Sequence, residues 1–437
     1  MRQTIAFFSG LAISTLSKLS GQGTGVTWSG EIALRIDPNF IKKHISKIPE
    51  RIVVAGTNGK TTTSALIAHI LKNEEYAVIH NATGANLVNG IAGTLLQSNA
   101  SSPKTVAVFE SDEAALGQIA KEVKPTTLVL LNLFRDQLDR YGEVDVIAEK
   151  WKEVIESLPK DSSIIANADD PLIVHVAKSF KGKVEYFGIN DKRIAKEKML
   201  HAADSTYCLE CGYKLSYNAI YVSHLGDWYC TSCDAKRPDV TTLSLHQPLI
   251  GTYNIYNVLA AFYVAKQFKL STQSITKALS SFTPVFGRQE VFEKNGKKIQ
   301  VFLSKNPTGF NENLKTILSE KNAGTIVLVL NDRIPDGTDV SWIWDVDFEL
   351  LEKSGIPIVA TGDRAYDMGL RIKYSRDQII KESRNQKNKD GIWVEENFKD
   401  AIDYAVSKTT SEKTCYILPT YSAMLEVRKY LTGRKIL

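Results

Sequence analysis

A short apolar run, Arg51-Ile52-Val53-Val54-Ala55, leads directly into Gly56-Thr57-Asn58-Gly59-Lys60-Thr61-Thr62-Thr63, and a helical pattern through Leu66, Ile67, Ile70 and Leu71 follows. Nothing else in the chain constrains its fold as much. A buried strand that turns at once into a helix leaves the first helical N–H groups unpaired, and these donors together with the helix dipole hold phosphate oxygens. Gly56 and Gly59 let the backbone pass close to a phosphate. Lys60 is placed to neutralise β- and γ-phosphates, and the Thr61 hydroxyl to ligate Mg²⁺. Val54 stands where a strict G-x-x-x-x-G-K-[ST] loop has its first glycine. The expected nucleotide-binding set is therefore Thr57, Asn58, Gly59, Lys60, Thr61 and Thr62.

The rhythm around this loop is that of a parallel, doubly wound sheet. Strand-like runs recur at Tyr76–Ile79, Thr105–Phe109, Thr127–Leu131 and Ser163–Ala166, separated by helical stretches such as Val144–Ser157. Residues 201–240 break the pattern, being rich in Cys, Tyr and Gly without helical period, and read as an inserted module. Helices are expected near Ile255–Phe268 and Ser271–Ser281, and Pro284-Val285-Phe286-Gly287 as a hinge. Beyond it, Lys298–Leu303, Gly324–Leu330, Ile356–Thr361 and Thr414–Leu418 read as strands of a second α/β domain. The 437 residues thus divide into an N-terminal segment (1–45), a central domain (46–285) with its insert, and a C-terminal domain (286–437).

Within the insert, Cys208-x-x-Cys211 is followed after 18 residues by Cys230-x-x-Cys233, the spacing of a structural Cys₄ zinc site. A redox pair or disulfides are the alternatives. A zinc ribbon that binds nucleic acid is the rival functional reading, since Tyr207, Tyr213, Tyr217, Tyr221, Trp228 and Tyr229 would stack bases. Basic residues nearby are few, and a net charge of +5 over 54 basic and 49 acidic residues is too mild for a nucleic-acid partner. No apolar stretch is long enough to span a bilayer. The N-terminus reads as an amphipathic helix with Ile5, Phe8, Leu11 and Leu16 on one side, packed on the body of the protein or lying on a membrane, rather than as a signal peptide. The expected location is the cytoplasm, with the inner face of the plasma membrane as a peripheral site.

The string Ala55–Thr63 resembles the loop of Mur ligases and folylpolyglutamate synthases, and further segments follow in the order of that superfamily. Glu110, ending Val108-Phe109-Glu110, matches its magnesium-ligating glutamate; the plain alternative is a solvated strand end. Asn132–Gly142 resembles N-x-x-x-D-H-L-D-x-x-G, with Gln137 in place of the histidine, and Asn167-Ala168-Asp169-Asp170 resembles its N-x-D-D turn. Asn254 and Asn257 fall in a G-x-x-N-x-x-N element that the resemblance places near adenine, although Asn also caps helices. Arg288 falls in a G-R-x-E hinge whose arginine reaches the nucleotide, or is an exposed hinge charge. The resemblance implies a Mur ligase-type P-loop ATPase domain carrying the zinc ribbon, followed by a Rossmann-like α/β domain.

Two departures point to the MurT branch of that superfamily. The zinc insert is one. The other is length: with 55 residues ahead of Gly56, a domain that binds the UDP of a substrate has no room. The D-x-x-H-N-P signature of the C-terminal domain is reduced here to Asn306-Pro307, and Asn331–Asp345 is similar to the N-D-x-x-x-D-G-x-D-x-S-W-I-x-D segment of the MurT family. That resemblance implies ATP- and Mg²⁺-dependent amidation of the α-carboxylate of D-glutamate in the lipid II stem peptide, through an acyl phosphate. It also implies a partner glutaminase, GatD, whose Cys–His pair Asp339 would complete; Asp339 as a turn residue is the alternative. Cys415 lies in an apolar strand-like run and offers no activated thiol, so ammonia must come from elsewhere. A folylpolyglutamate synthase-like ligase remains the runner-up.

Overall fold

Strands β1 (Glu50–Ala55), β2 (Ala77–His80), β3 (Thr105–Ser111), β4 (Thr127–Leu130), β5 (Ser163–Asn167) and β6 (Lys183–Phe187) form one sheet in the order β2-β3-β1-β4-β5-β6, every pair parallel. This computed structural model describes residues 2–19, 25–82, 84–98, 102–136, 144–196, 199, 203–284, 287–380 and 392–433. The stretch from Gln137 to Gly142, and Val285 and Phe286 of the expected hinge, lie outside the described residues. In β1, Ile52 and Val54 enter one core and Val53 and Ala55 the other, and all four are fully buried. A sheet covered on both faces needs no polar alternation, which is why the run reads as continuously apolar. The loops after β1, β3 and β4 emerge at its carboxyl edge where the strand order reverses, the place where such sheets bind ligands.

The insert is a hairpin of β7 (Leu215–Val222) and β8 (Leu225–Cys230). It is fixed to the first sheet by Trp228 Nε1, which donates to the Ala168 carbonyl at 3.0 Å, and by Arg237, whose Nε donates to Asp169 at 2.7 Å. The N-x-D-D turn is thus a junction. Asp169 also accepts from Ile189 N and Tyr256 OH, while Asp170 accepts from Leu172 N and Leu133 N.

The second sheet has β9 (Arg288–Lys294), β10 (Lys297–Phe302), β11 (Ala323–Val329), β12 (Ile358–Thr361), β13 (Ile392–Val394) and β14 (Thr414–Pro419) in the order β13-β12-β11-β14-β10-β9. All its pairs are parallel except the edge pair β9/β10.

The N-terminal helix, Arg2–Leu19, packs on the first domain by a different face from the one its apolar residues suggest. Ala6, Gly10 and Ser14 are buried, whereas Ile5, Phe8 and Leu16 are 50%, 65% and 64% exposed. Close approach decides this. A Cβ on Gly10 would lie 2.6 Å from Leu96 Cδ1, and one on Gly93 would lie 1.9 Å from the Val26 carbonyl oxygen. Small residues let the helices at 2–19, 26–36 and 88–96 come together, and the larger apolar side chains are left outside.

Candidate functional site

The loop after β1 has a geometry that can hold an anion. Gly59 adopts φ 89° and the helix Lys60–Asn73 starts immediately after it. The loop is laced to the chain after β4: Thr57 N donates to Asn132 O at 2.9 Å, and Asn58 N to Asn132 Oδ1 at 2.9 Å. Lys60 Nζ, itself buried, donates to Gly56 O (2.5 Å), Thr57 O (3.1 Å) and Glu113 Oε2 (3.0 Å). Burial opposes ionisation of Glu113, but Lys60 and Lys305 outweigh it and hold its pKa below the usual carboxylate range.

Side chains from three further segments converge on this loop. Asn257 presses so closely that a Cβ on Gly59 would sit 2.2 Å from its Oδ1. Asn257 donates to Asn254 Oδ1 at 2.9 Å, and Asn254 in turn bonds the Ile250 carbonyl at 2.6 Å. Both asparagines are buried in the first turns of the helix Thr252–Gln267, whose N-cap is Gly251. With Tyr253, Gln289, Asn313 and the hairpin-tip residues Val222 and Leu225, they line a cleft between the two domains. A second cavity adjoins it and is lined by Lys60, Thr61, Glu110, Glu113, Asp136 and Tyr421, among others. Arg288, Leu303 and Lys305 border both. Glu110 is 1% exposed and its Oε2 has no hydrogen-bond partner among the described residues. Burial pushes its pKa up, against the Thr61 hydroxyl and the charges of Lys60, Arg288 and Lys305. An orphaned carboxylate oxygen beside a hydroxyl and a phosphate loop fits a divalent cation of Mg²⁺ type.

Two other groups lie apart from these cavities. Cys208, Cys211, Cys230 and Cys233 bring their sulfurs within 4.8 Å of one another, with Cys208–Cys233 at 3.6 Å and Cys211–Cys230 at 3.5 Å, so they can hold a metal ion. Asp339 is exposed and lines neither cavity. Its oxygens accept from Ser341 N and Ser341 Oγ, both at 2.8 Å, and these bonds lower its pKa. The segment before it is anchored by Asp336, which accepts from Ser422 N at 2.7 Å, and by Asn331, which donates to Ser422 Oγ at 3.0 Å.

Comparison with known proteins gives this arrangement its family. The Mur ligase middle domain matches residues 54–265, and the MurT ligase C-terminal domain matches residues 303–424. A protein of Staphylococcus aureus (strain COL) called lipid II isoglutaminyl synthase (glutamine-hydrolyzing) subunit MurT is 33% identical over 87% of this chain and 89% of its own. The chain belongs to the MurT family of Mur ligases. A MurT subunit of Streptococcus pneumoniae (strain ATCC BAA-255 / R6) is also 33% identical, over 96% of this chain and 95% of its own. The fold is that of a pseudomurein peptide ligase type C from Methanothermus fervidus, with a TM-score of 0.62 at 22% identity over 88% of this chain and 78% of that one.

As a MurT-family member the chain is an ATP-dependent ligase, and its relatives are named as subunits of a larger synthase, so a partner is implied. The folylpolyglutamate-type and nucleic-acid readings give way to relatives that match across both domains. Of the residues expected from sequence, the structure brings Thr57 to Thr62, Glu110, Asn254, Asn257 and Arg288 around the two adjoining cavities, groups the four cysteines, and leaves Asp339 outside both. Sequence reasoning missed Glu113, Asp136 and Lys305. Glu113 lies three residues beyond Glu110, a signal of a second carboxylate at the same strand end. Lys305 stands where the D-x-x-H-N-P signature has its histidine, and the substitution itself was the clue.

Proposed function

We propose that this chain is the ATP-using subunit of a lipid II isoglutaminyl synthase, converting the α-carboxylate of D-glutamate in the stem peptide to the amide of D-isoglutamine. The observation that carries the reading is the separation of two sites: a buried phosphate cleft, and an exposed carboxylate, Asp339, that lines none of its walls. Lys60 and the loop N–H groups hold the ATP phosphates, while Asn254 and Asn257 flank the base side of the cleft. Mg²⁺, held by Glu110 and Thr61, would screen phosphate charge. The substrate carboxylate attacks the γ-phosphorus; a carboxylate O–P bond forms, and the electron pair of the breaking P–O bond leaves with ADP. Ammonia then adds to the acyl carbon and phosphate departs.

Ammonia would come from a GatD-like glutaminase. The chain has no thiol suited to that chemistry, because four cysteines are clustered and burial pushes the Cys415 thiol up to about 12. Asp339 would orient the partner's histidine. A docking surface lies on the same domain: Tyr366, Leu370 and Tyr374 are exposed at helical spacing on Ala365–Ile380, and Trp344 meets Tyr374 edge-on at 5.7 Å. The Cys₄ group suits structural zinc, since tetrahedral Zn–S bonds of about 2.3 Å set sulfurs about 3.8 Å apart. No described helix is long and apolar enough to cross a membrane. The exposed Ile5, Phe8 and Leu16 face suits peripheral contact with the bilayer that carries a lipid-linked substrate.

Reconstitution tests this directly. The chain with its co-purified glutaminase, ATP and lipid II should turn the D-glutamate α-carboxylate into an amide, read by mass spectrometry. Absence of amidation with both glutamine and ammonia would overturn the proposal.

A further inference from the structure

The two buried ion pairs of the cleft are not equivalent. Lys60 has its three N–H donors taken by Gly56 O, Thr57 O and Glu113. Lys305, which comes from the other domain, bonds Asp136 alone among the described residues, and about a quarter of its side chain is exposed. An ammonium has three donors, so Lys305 offers two to whatever occupies the space beside it. That space is specific, because Lys305 borders both the base-side cleft and the cavity holding Lys60, Thr61 and Glu110. A triphosphate reaching from one to the other must pass it.

The platform under Lys305 is rigid. Leu303 N donates to Gly287 O at 3.0 Å and Ser304 N to Pro419 O at 2.9 Å. Asn306 caps the helix Pro307–Ser319 by accepting from Gly309 N at 2.9 Å, and its Nδ2 donates to Asn58 Oδ1 in the phosphate loop at 3.0 Å. Asn313 ties the same turn down from behind, bonding Leu303 O, Ser304 Oγ and Tyr253 OH. Burial works against the Lys305 charge, but Asp136 and Glu113 outweigh it and leave its pKa raised, so the side chain stays an ammonium.

From this geometry we infer that Lys305 is a catalytic residue, a second cation supplied by the C-terminal domain that holds the γ-phosphate and the phosphoryl group in transfer. Charge on the three equatorial oxygens is stabilised by fixed donors that need not move during the reaction. Lys60, already satisfied by its own loop, must exchange protein acceptors for phosphate oxygens; Lys305 need not. Correct docking of the two domains is then a condition for transfer. The inference rests on the ligase reading above but not on the identity of the carboxylate.

The test uses the full chain and the probes ATP and ADP, measured by calorimetry with Mg²⁺ and without any acceptor. Lys305→Met should weaken ATP binding by about tenfold or more while ADP stays within about twofold, because only ATP carries the γ-phosphate. In the complex, ammonia-driven ADP formation on the acceptor should fall by about 10²–10³-fold. Unchanged ATP affinity and turnover would overturn the inference. Equal losses for ATP and ADP with a lowered unfolding temperature would also overturn it, leaving only a structural pair with Asp136. Should Lys305→Met fail to fold, Lys305→Gln, which can still bond Asp136, carries the same expectation. Failure of the wild type to amidate D-glutamate would sink the substrate reading and leave the ATP-over-ADP preference intact.

Discussion

The two six-stranded sheets present their carboxyl edges in opposite ways. At the first, after β1, β3 and β4, the functional groups are sunk in a cleft: Lys60 and Glu110 are buried, and every Lys60 donor is occupied. At the second, after β11, the chain is pinned through Asn331 and Asp336 and then runs out to an exposed Asp339. The architecture is nearly the same, but the destinations differ. A group that must stabilise charge gains from a water-poor cleft where fields are strong. A group meant for another protein's active site gains nothing from burial on its own. On the proposed reading, the first edge would do chemistry in cis and the second would complete a partner's site in trans.

The largest effect should come from the buried edge. Lys60→Ala should lower both glutamine- and ammonia-driven amidation by about 10³-fold or more, since the phosphate loop serves every turnover. Glu113 would be left buried without its cation, so Lys60→Ala with Glu113→Gln is the folding control. Normal turnover by either variant would break the comparison at its stronger end.

A smaller and more selective loss is expected at the exposed edge. Losing the carboxylate of a serine-protease triad costs ~10⁴-fold. A cysteine nucleophile ionises more readily, so Asp339→Asn should cost glutamine-driven amidation about 10²–10³-fold. Amidation from free ammonia should be untouched. If ammonia-driven amidation is lost while glutamine hydrolysis persists, Asp339 belongs to the ligase site; if neither changes, it is a turn residue.

Removing part of the aromatic stripe should weaken assembly alone. Tyr366→Ala with Tyr374→Ala should raise the dissociation constant for the glutaminase by about 30-fold, the scale of a 2 kcal/mol hot spot. ATP affinity should stay as it was, and a shift in it would mean the second edge also shapes the cleft.

The smallest effect on turnover is expected from the cysteine cluster, which closes the base of the β7–β8 hairpin. Purified protein should hold about one zinc per chain. Cys208→Ser should remove it and lower the unfolding temperature, because a closed site contributes folding energy. Nucleotide binding should weaken only modestly, through Val222 and Leu225 at the hairpin tip. Metal-free wild-type protein of unchanged stability would refute the zinc assignment.

What the sequence determined by itself was local. Strand, loop and helix from Arg51 to Leu71 are contiguous, so backbone connectivity alone gathers Gly56, Gly59, Lys60 and Thr61 into one loop at a helix N-terminus. The Cys-x-x-Cys turns are equally short-range, and the alternation of strand and helix announced parallel sheets. Tertiary structure decided whatever joins distant segments. Asn257 meets Thr63 across 194 residues, and Lys305 meets Asp136 across 169. Which side chains meet there depends on strand order and domain docking, which no local pattern encodes. It also decided the face of the N-terminal helix, where close approach through Gly10 prevailed over the larger apolar side chains. The physical reason is the same in both cases: a turn is fixed by bonds along the chain, whereas a cleft or a packed face is fixed by the shapes that arrive from elsewhere.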